Sequence, residues 1–368
     1  MRLLLLPKYG RRAASSRLRY FQYVPYLESQ GIVCTVSPLF EDEYVARRSR
    51  SRGGAAKAAG LLGLAQAFVR RAQAIRSARG FDLILMHCEA FPYLPPILER
   101  QLQRLGVPYA VDYDDAIFHN YDLHRRAIVR RVLGGKIASV LRGASAVIAG
   151  SEYLAEYARR VNDQVHVLPT VIDTERYGLS ARPVSVGNEF RIGWIGSFST
   201  MPYLRLIEEA LAGYCREGKA RLTVVGAGKM DLSVSPVEFR EWSEATEVND
   251  CRAFDVGIMP LPDTPWARGK CGYKLIQYMG CGLPVIASPV GANNDIVRSG
   301  ENGFLAKTTA EWQEALETLR KDPVLARTMG ETGRRLVEER YSLRATAPEL
   351  KRILETCGKT TSAARVPL

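Results

Sequence analysis

Short apolar runs recur through this chain at intervals that leave room for one helix between neighbours, and the rhythm starts twice. The first series is Arg2–Leu6, Ile32–Val36 with Leu39-Phe40, Phe81–Met86, Pro108–Val111 and Ala146–Ala149. The second is Phe190–Ile195, Arg221–Val225, Phe254–Met259 and Pro284–Ser288. Most are continuous rather than alternating, the mark of strands buried on both faces of a parallel sheet. Helical spacing fills the gaps: a helix ending near Gln30, Ala55–Arg79, Pro95–Leu105, Arg125–Leu141, Pro202–Gly213, Tyr273–Met279 and Thr309–Arg320. The rhythm breaks at Ala181–Asn188, which reads as a linker. The fold class expected is therefore α/β, with two Rossmann-like doubly wound domains over residues 1–182 and 188–340. A last helix at 341–357 and a disordered tail at 358–368 complete the expected layout.

Composition limits the function. A chain of 368 residues, 46% hydrophobic and 24% charged, has material for two cores. No apolar run approaches the ~20 residues of a membrane span. The opening Met1–Pro7 is too short for a secretory signal and reads as a buried strand. Seven cysteines without a CxxC pair suggest reduced thiols in a cytoplasmic protein, with no disulfide framework and no metal site. The net charge of +12 sits in the first half: residues 1–180 hold 26 Lys/Arg against 16 Asp/Glu. Residues 46–80 carry nine basic residues and no acidic one, which suits an anionic membrane surface or a merely solvated face. Nucleic acid is not expected as a partner, because aromatic residues are not interleaved with these arginines.

The densest constellation is Gly269-Lys-Cys-Gly-Tyr-Lys-Leu-Ile-Gln277. Gly269 and Gly272 lie in a loop opening a helix, where free amides and the helix dipole favour phosphate oxygens. Lys270 and Lys274 are four residues apart, so both ammonium groups can converge on a diphosphate, with Tyr273 between them. Gln277 follows about one turn later, within reach of ribose hydroxyls. Two further clusters lie at strand ends, where α/β folds bind ligands. The loop Gly10–Arg17 offers the Gly10 amide and the Arg17 guanidinium to a phosphate or an acceptor, or is a solvated basic turn. Val111–His119 ends a strand with Asp112, Asp114, Asp115 and His119. There an aspartate can orient or deprotonate an acceptor hydroxyl, or the group can cap a helix and pair with Arg125 and Arg126.

Tyr278-Met-Gly-Cys-Gly-Leu-Pro-Val-Ile-Ala-Ser288 resembles the donor segment of the GT4-type retaining glycosyltransferases of GT-B fold. The likeness extends through Val290-Gly291, Asn293–Val297, Gly300–Leu305, Ile195-Gly-Ser197, Thr223–Gly226 and Leu168–Asp173. It implies two domains facing a cleft, the first for an acceptor and the second for a nucleoside-diphosphate-sugar donor, with the last helix packing back on the first domain. It implies transfer with retention and no cofactor beyond that co-substrate, and a cleft histidine for which His119 is the candidate. The family's ribose-binding glutamate falls on Gln277 and its sugar-side glutamate on Gly269, with Asp263 as a weak substitute. Where the family has Arg and Lys after the first strand of the donor domain, this chain has Gly196-Ser-Phe-Ser-Thr200. Ser197, Ser199, Thr200 and the Gly226 turn are expected to assist Lys270 and Lys274. The acceptor implied is a glycan or a lipid-linked glycan, met in the cytoplasm or at the inner membrane face. The alternatives are an inactive nucleotide-sugar-binding homologue and a nucleotide-sugar epimerase of the same fold.

Overall fold

The computed structural model describes residues 1–42, 54–178, 189–216, 218–226 and 228–363. It divides into two compact units, Met1–Thr170 with Thr346–Leu368, and Val171–Ala345. The polar stretch 181–188 and part of the basic stretch 46–80, residues 46–53, lie outside the described residues.

The first unit holds a six-stranded sheet of β1 (Arg2–Leu6), β2 (Val33–Val36), β3 (Leu83–His87), β4 (Tyr109–Tyr113), β5 (Ala146–Ala149) and β6 (Val165–Val167). Its order is β2-β1-β3-β4-β5-β6, parallel throughout. β3, β4 and β5 are buried at every position, as runs with no polar alternation require. The second unit repeats the plan with β7 (Phe190–Ile195), β8 (Ala220–Val225), β9 (Val237–Arg240), β10 (Val256–Met259), β11 (Val285–Ala287) and β12 (Gly303–Leu305). The order there is β12-β11-β10-β7-β8-β9, again parallel. In both sheets the strand order reverses beside the first strand, which opens a crevice at the carboxyl edge.

Several elements depart from the expected bounds. The helix expected over Arg125–Leu141 is two helices, Ala127–Leu133 and Lys136–Arg142, because consecutive glycines at 134 and 135 give up helix propensity. The Pro202–Gly213 helix begins as a 3-10 turn over Met201–Ile207 and becomes α-helical at Glu208–Arg216. The last helix runs Leu343–Ala363, so residues 358–363, expected to be disordered, continue it. The stretch Val171–Gly178 packs with the second unit: Ile172 accepts from Leu343 N at 2.8 Å and donates to Tyr341 O at 3.1 Å. Among the described residues no helix is long and apolar enough to cross a membrane.

Candidate functional site

In the second unit the site grows from three glycines. Gly196 follows β7, Gly226 follows β8, and Gly272 opens the helix Tyr273–Gly280. Gly226 (φ +90°) and Gly272 (φ +67°) stand in the left-handed region that other residues avoid. A Cβ at Gly226 would lie 2.8 Å from the Gly196 carbonyl oxygen, and one at Gly272 would lie 2.2 Å from Ile296 Cδ1. The Gly226 turn therefore closes tightly on backbone, and the Gly272 turn on the Ile296 side chain. Over Gly196 passes the side chain of Lys274, whose Nζ sits 5.3 Å from the Trp194 ring centroid. Lys270 Nζ sits 5.3 Å from the ring of Trp266. Each lysine is thus seated on its own tryptophan.

Gln277 is buried and donates through Nε2 to the Tyr177 hydroxyl at 2.9 Å. Tyr177 donates to Glu247 at 3.3 Å, and Glu247 also accepts from Trp242 Nε1 at 3.0 Å and pairs with Arg176 at 3.0 Å. Burial first, then Tyr273 and Glu247, holds the Tyr177 phenol well above its ordinary pKa, so it stays a donor. Ser197 and Ser199 hydroxyls meet at 2.9 Å, and Thr200 Oγ1 donates to the Ser197 carbonyl at 3.1 Å. Asp263 pairs with Arg268 through contacts of 2.6 and 3.0 Å on an exposed face.

In the first unit the carboxyl edge of β3 and β4 brings together residues that sequence reading had listed apart or missed. His87, the last residue of β3, places Nε2 3.2 Å from Asp114 Oδ1. Among the described residues its Nδ1 and the nearby Tyr20 hydroxyl are buried without a hydrogen-bond partner, and the two rings meet edge to face at 5.8 Å. Asp112, one residue before the end of β4, is buried against Arg19, which donates to both carboxylate oxygens and to Leu168 O at 2.7 Å. His87 was not anticipated; the signal was its place as the one polar residue closing an apolar strand.

Two expected sites have their groups engaged within the fold. His119 is engaged at both ring nitrogens: Nδ1 meets Asp122 and Nε2 meets the Tyr153 hydroxyl, each at 2.9 Å. The Gly10–Arg17 loop is likewise engaged within the fold. The Gly10 amide donates to Phe40 O at 2.8 Å, Arg12 N donates to the Asp42 carboxylate at 3.0 Å, and Arg17 is buried. The basic stretch is also less uniform than its composition suggests. Arg71 is buried and donates to the carbonyls of Leu6 at 3.1 Å and Pro7 at 2.7 Å, while Arg70 pairs with Glu41 at 2.6 Å. Asp115 is half-buried beside Asp114. Among the described residues no three His, Cys, Asp or Glu side chains are grouped to hold a metal ion.

Two parallel doubly wound sheets, each with its polar side chains at the carboxyl edge, define a two-domain α/β protein of GT-B fold. The Glycosyltransferase Family 4 model matches residues 26–176, and the Glycosyl transferases group 1 model matches residues 189–322. The chain belongs to the GT4-type glycosyltransferases. N-acetyl-alpha-D-glucosaminyl L-malate synthase of Bacillus anthracis is 36% identical over 73 residues, a match that spans only 19% of either protein. Among solved structures, the sucrose-phosphate synthase of Thermosynechococcus elongatus is similar at TM-score 0.71 and 17% identity, covering 98% of this chain and all of that one. Anabaena Alr3699/HepE, solved with UDP and glucose, is similar at TM-score 0.70 and 18% identity, over 97% of this chain and all of that one.

Proposed function

We propose that the chain transfers a sugar from a nucleoside-diphosphate donor, held by the second unit, to an acceptor hydroxyl presented at the first. The observation that carries this reading is Lys274 lying across Gly196 at the opening of the Tyr273–Gly280 helix. An ammonium, a helix N-terminus and two glycine turns lie together there, an arrangement that supports stabilising the charge that develops on a diphosphate leaving group. Similarity to HepE, whose structure contains UDP and glucose, supports a uridine nucleotide as the first donor to try. Lys270, Gly272, Tyr273, Ser197, Ser199 and Thr200 are assigned to the phosphate side. Gln277 is assigned to the ribose through the carbonyl oxygen that its bond to Tyr177 leaves over. On the acceptor side, Asp114 paired with His87 is the candidate base, with Asp115 beside it. In this reading lysine supplies the positive charge and no metal is needed. The configuration at the sugar is retained, and the acceptor is a glycan or lipid-linked glycan met on the cytoplasmic side of a membrane.

Thermal-shift titration with a panel of nucleoside diphosphates and their sugars tests the donor half. A stabilising shift with one nucleotide, lost in Lys274→Ala, is expected; no shift with any of them would end the reading. One observation favours a second reading. Gly269 stands where the family places a carboxylate near the donor sugar, so a nucleotide-sugar-binding partner without turnover has the same donor site. Release of UDP in the presence of acceptor separates the two.

A further inference from the structure

We infer that the exposed excursion Leu123–Val132 docks the first unit onto an anionic lipid surface. The segment begins and ends on one buried carboxylate. The Tyr121 hydroxyl donates to Glu89 at 2.8 Å, and Lys136 Nζ pairs with Glu89 at 2.6 Å and Glu99 at 3.6 Å. Between these anchors only Leu133 turns fully inward. Leu123, Ile128 and Val132 are 56%, 64% and 57% exposed, which is too much apolar surface for a stretch so firmly tied at both ends to be a frayed loop. Ile128 and Val132 are one turn apart on the helix Ala127–Leu133, so they share a flank.

The charge around them specifies the partner. Arg125, Arg126, Arg130 and Arg131 are all exposed, no acidic residue lies within 123–132, and among the described residues none of the four pairs with a carboxylate. Arg130 instead donates to the carbonyls of His124 at 2.6 Å and Arg125 at 3.2 Å, which fixes the turn that displays the others. Guanidinium groups flanking short aliphatic side chains match the headgroup and acyl layers of an anionic bilayer. A nucleic acid would engage the arginines but leave the aliphatic flank in water, and the segment holds no Phe, Tyr or Trp for a base to stack on. Of the 46–80 stretch, two arginines, Arg70 and Arg71, are occupied within the fold. Docking here does not depend on the donor reading, though it suits an acceptor carried by lipid.

The test is co-sedimentation of the full chain with phosphatidylcholine vesicles, with or without about a third phosphatidylglycerol. The wild type is expected on the anionic vesicles at low salt and not on the neutral ones. Ile128→Ser with Val132→Ser, and separately Arg126→Ser with Arg131→Ser, change exposed side chains and leave the core intact, as circular dichroism will check. The arginine pair should weaken partitioning roughly 30-fold, with the difference shrinking as salt rises. The aliphatic pair should weaken it roughly ten-fold or more at all salt levels. Absence of wild-type binding overturns the proposal. So does binding untouched by the Ile128/Val132 change, or binding weakened only when Arg47, Arg48, Arg50 and Arg52 are replaced by serine. Equal retention on heparin that ignores Ile128 and Val132 would mark a polyanion site and overturn it as well.

Discussion

Lys274 crosses Gly196 so closely that a methyl group built on that α-carbon would stand 2.7 Å from Lys274 Cε. It would also stand 2.6 Å from the Trp194 ring, which is only 1% exposed and cannot move aside. Gly196→Ala should therefore displace the lysine from its seat and cost about 1–3 kcal/mol of stability through overpacking. Lys274→Ala should spare the fold but weaken nucleoside-diphosphate binding about ten-fold or more. Calorimetric titration with UDP reads both. Undiminished affinity in Lys274→Ala would remove this lysine from the donor site.

The His87–Asp114 pair makes a different prediction, because it acts on turnover rather than on donor binding. Asp114→Asn and His87→Asn should each lower the rate of sugar transfer by about 10²–10⁴-fold, the range for a lost general base or its orienting partner. UDP affinity should stay within error of the wild type. If His87→Asn reduces only stability, the histidine belongs to the core of the β3 edge.

How much of this was legible beforehand follows from what each feature depends on. The Phe190–Ile195 and Ala146–Ala149 strands were read with their observed bounds, since burial on both faces demands a continuous apolar run. The edge strands Val165–Val167, Val237–Arg240 and Gly303–Leu305 were missed. They are three or four residues long and only partly buried, so backbone pairing rather than side-chain pattern makes them strands. Gly272 and Lys274 were found because a glycine turn before a helix is a local signal. The bond between His87 and Asp114 spans 27 positions, and the tie between Gln277 and Tyr177 spans 100. No window along the chain sees such pairs. The His119–Tyr153 contact escapes the sequence for the same reason: Tyr153 lies on a helix, Glu152–Arg159, that the apolar pattern does not mark.

Lys136 is a buried cation between two buried carboxylates, and it also donates to the Phe91 carbonyl. Lys136→Met removes the charge and leaves Glu89 and Glu99 facing each other without compensation. Burial already raises Glu99, and Lys136 is the main influence opposing that rise. The expected loss is about 3–5 kcal/mol in urea unfolding. Part of it should return as pH falls and a carboxyl takes up a proton, because a carboxyl whose folded pKa is raised destabilises the fold as pH rises. A loss below about 1 kcal/mol would mean that water reaches the cluster.

Gln277→Glu would restore the residue type that the family places there, yet it should not be benign. The Tyr177 hydroxyl has one proton, already given to Glu247, and it accepts from the Gln277 amide. A carboxylate at 277 turns that donor into a second claimant for the same proton. The cost expected at neutral pH is about 1–3 kcal/mol. A melting temperature unchanged by the substitution would show that the side chain swings away from Tyr177.

His166, in β6, is expected to contribute to the acid limb of stability in the first unit. Burial, followed by the positive charge of Arg352, lowers its pKa, with Glu349 acting weakly the other way. The folded chain therefore resists protonating a ring that the unfolded chain protonates at about 6.5. Stability from this group is complete above that pH and declines as pH falls toward the depressed folded value. His166→Gln should flatten the decline, while Arg352→Ala should move its midpoint upward by relieving the repulsion. Urea unfolding followed from about pH 7.5 to pH 5 is the measurement. Identical slopes for wild type and His166→Gln across that window would assign the acid limb to other groups.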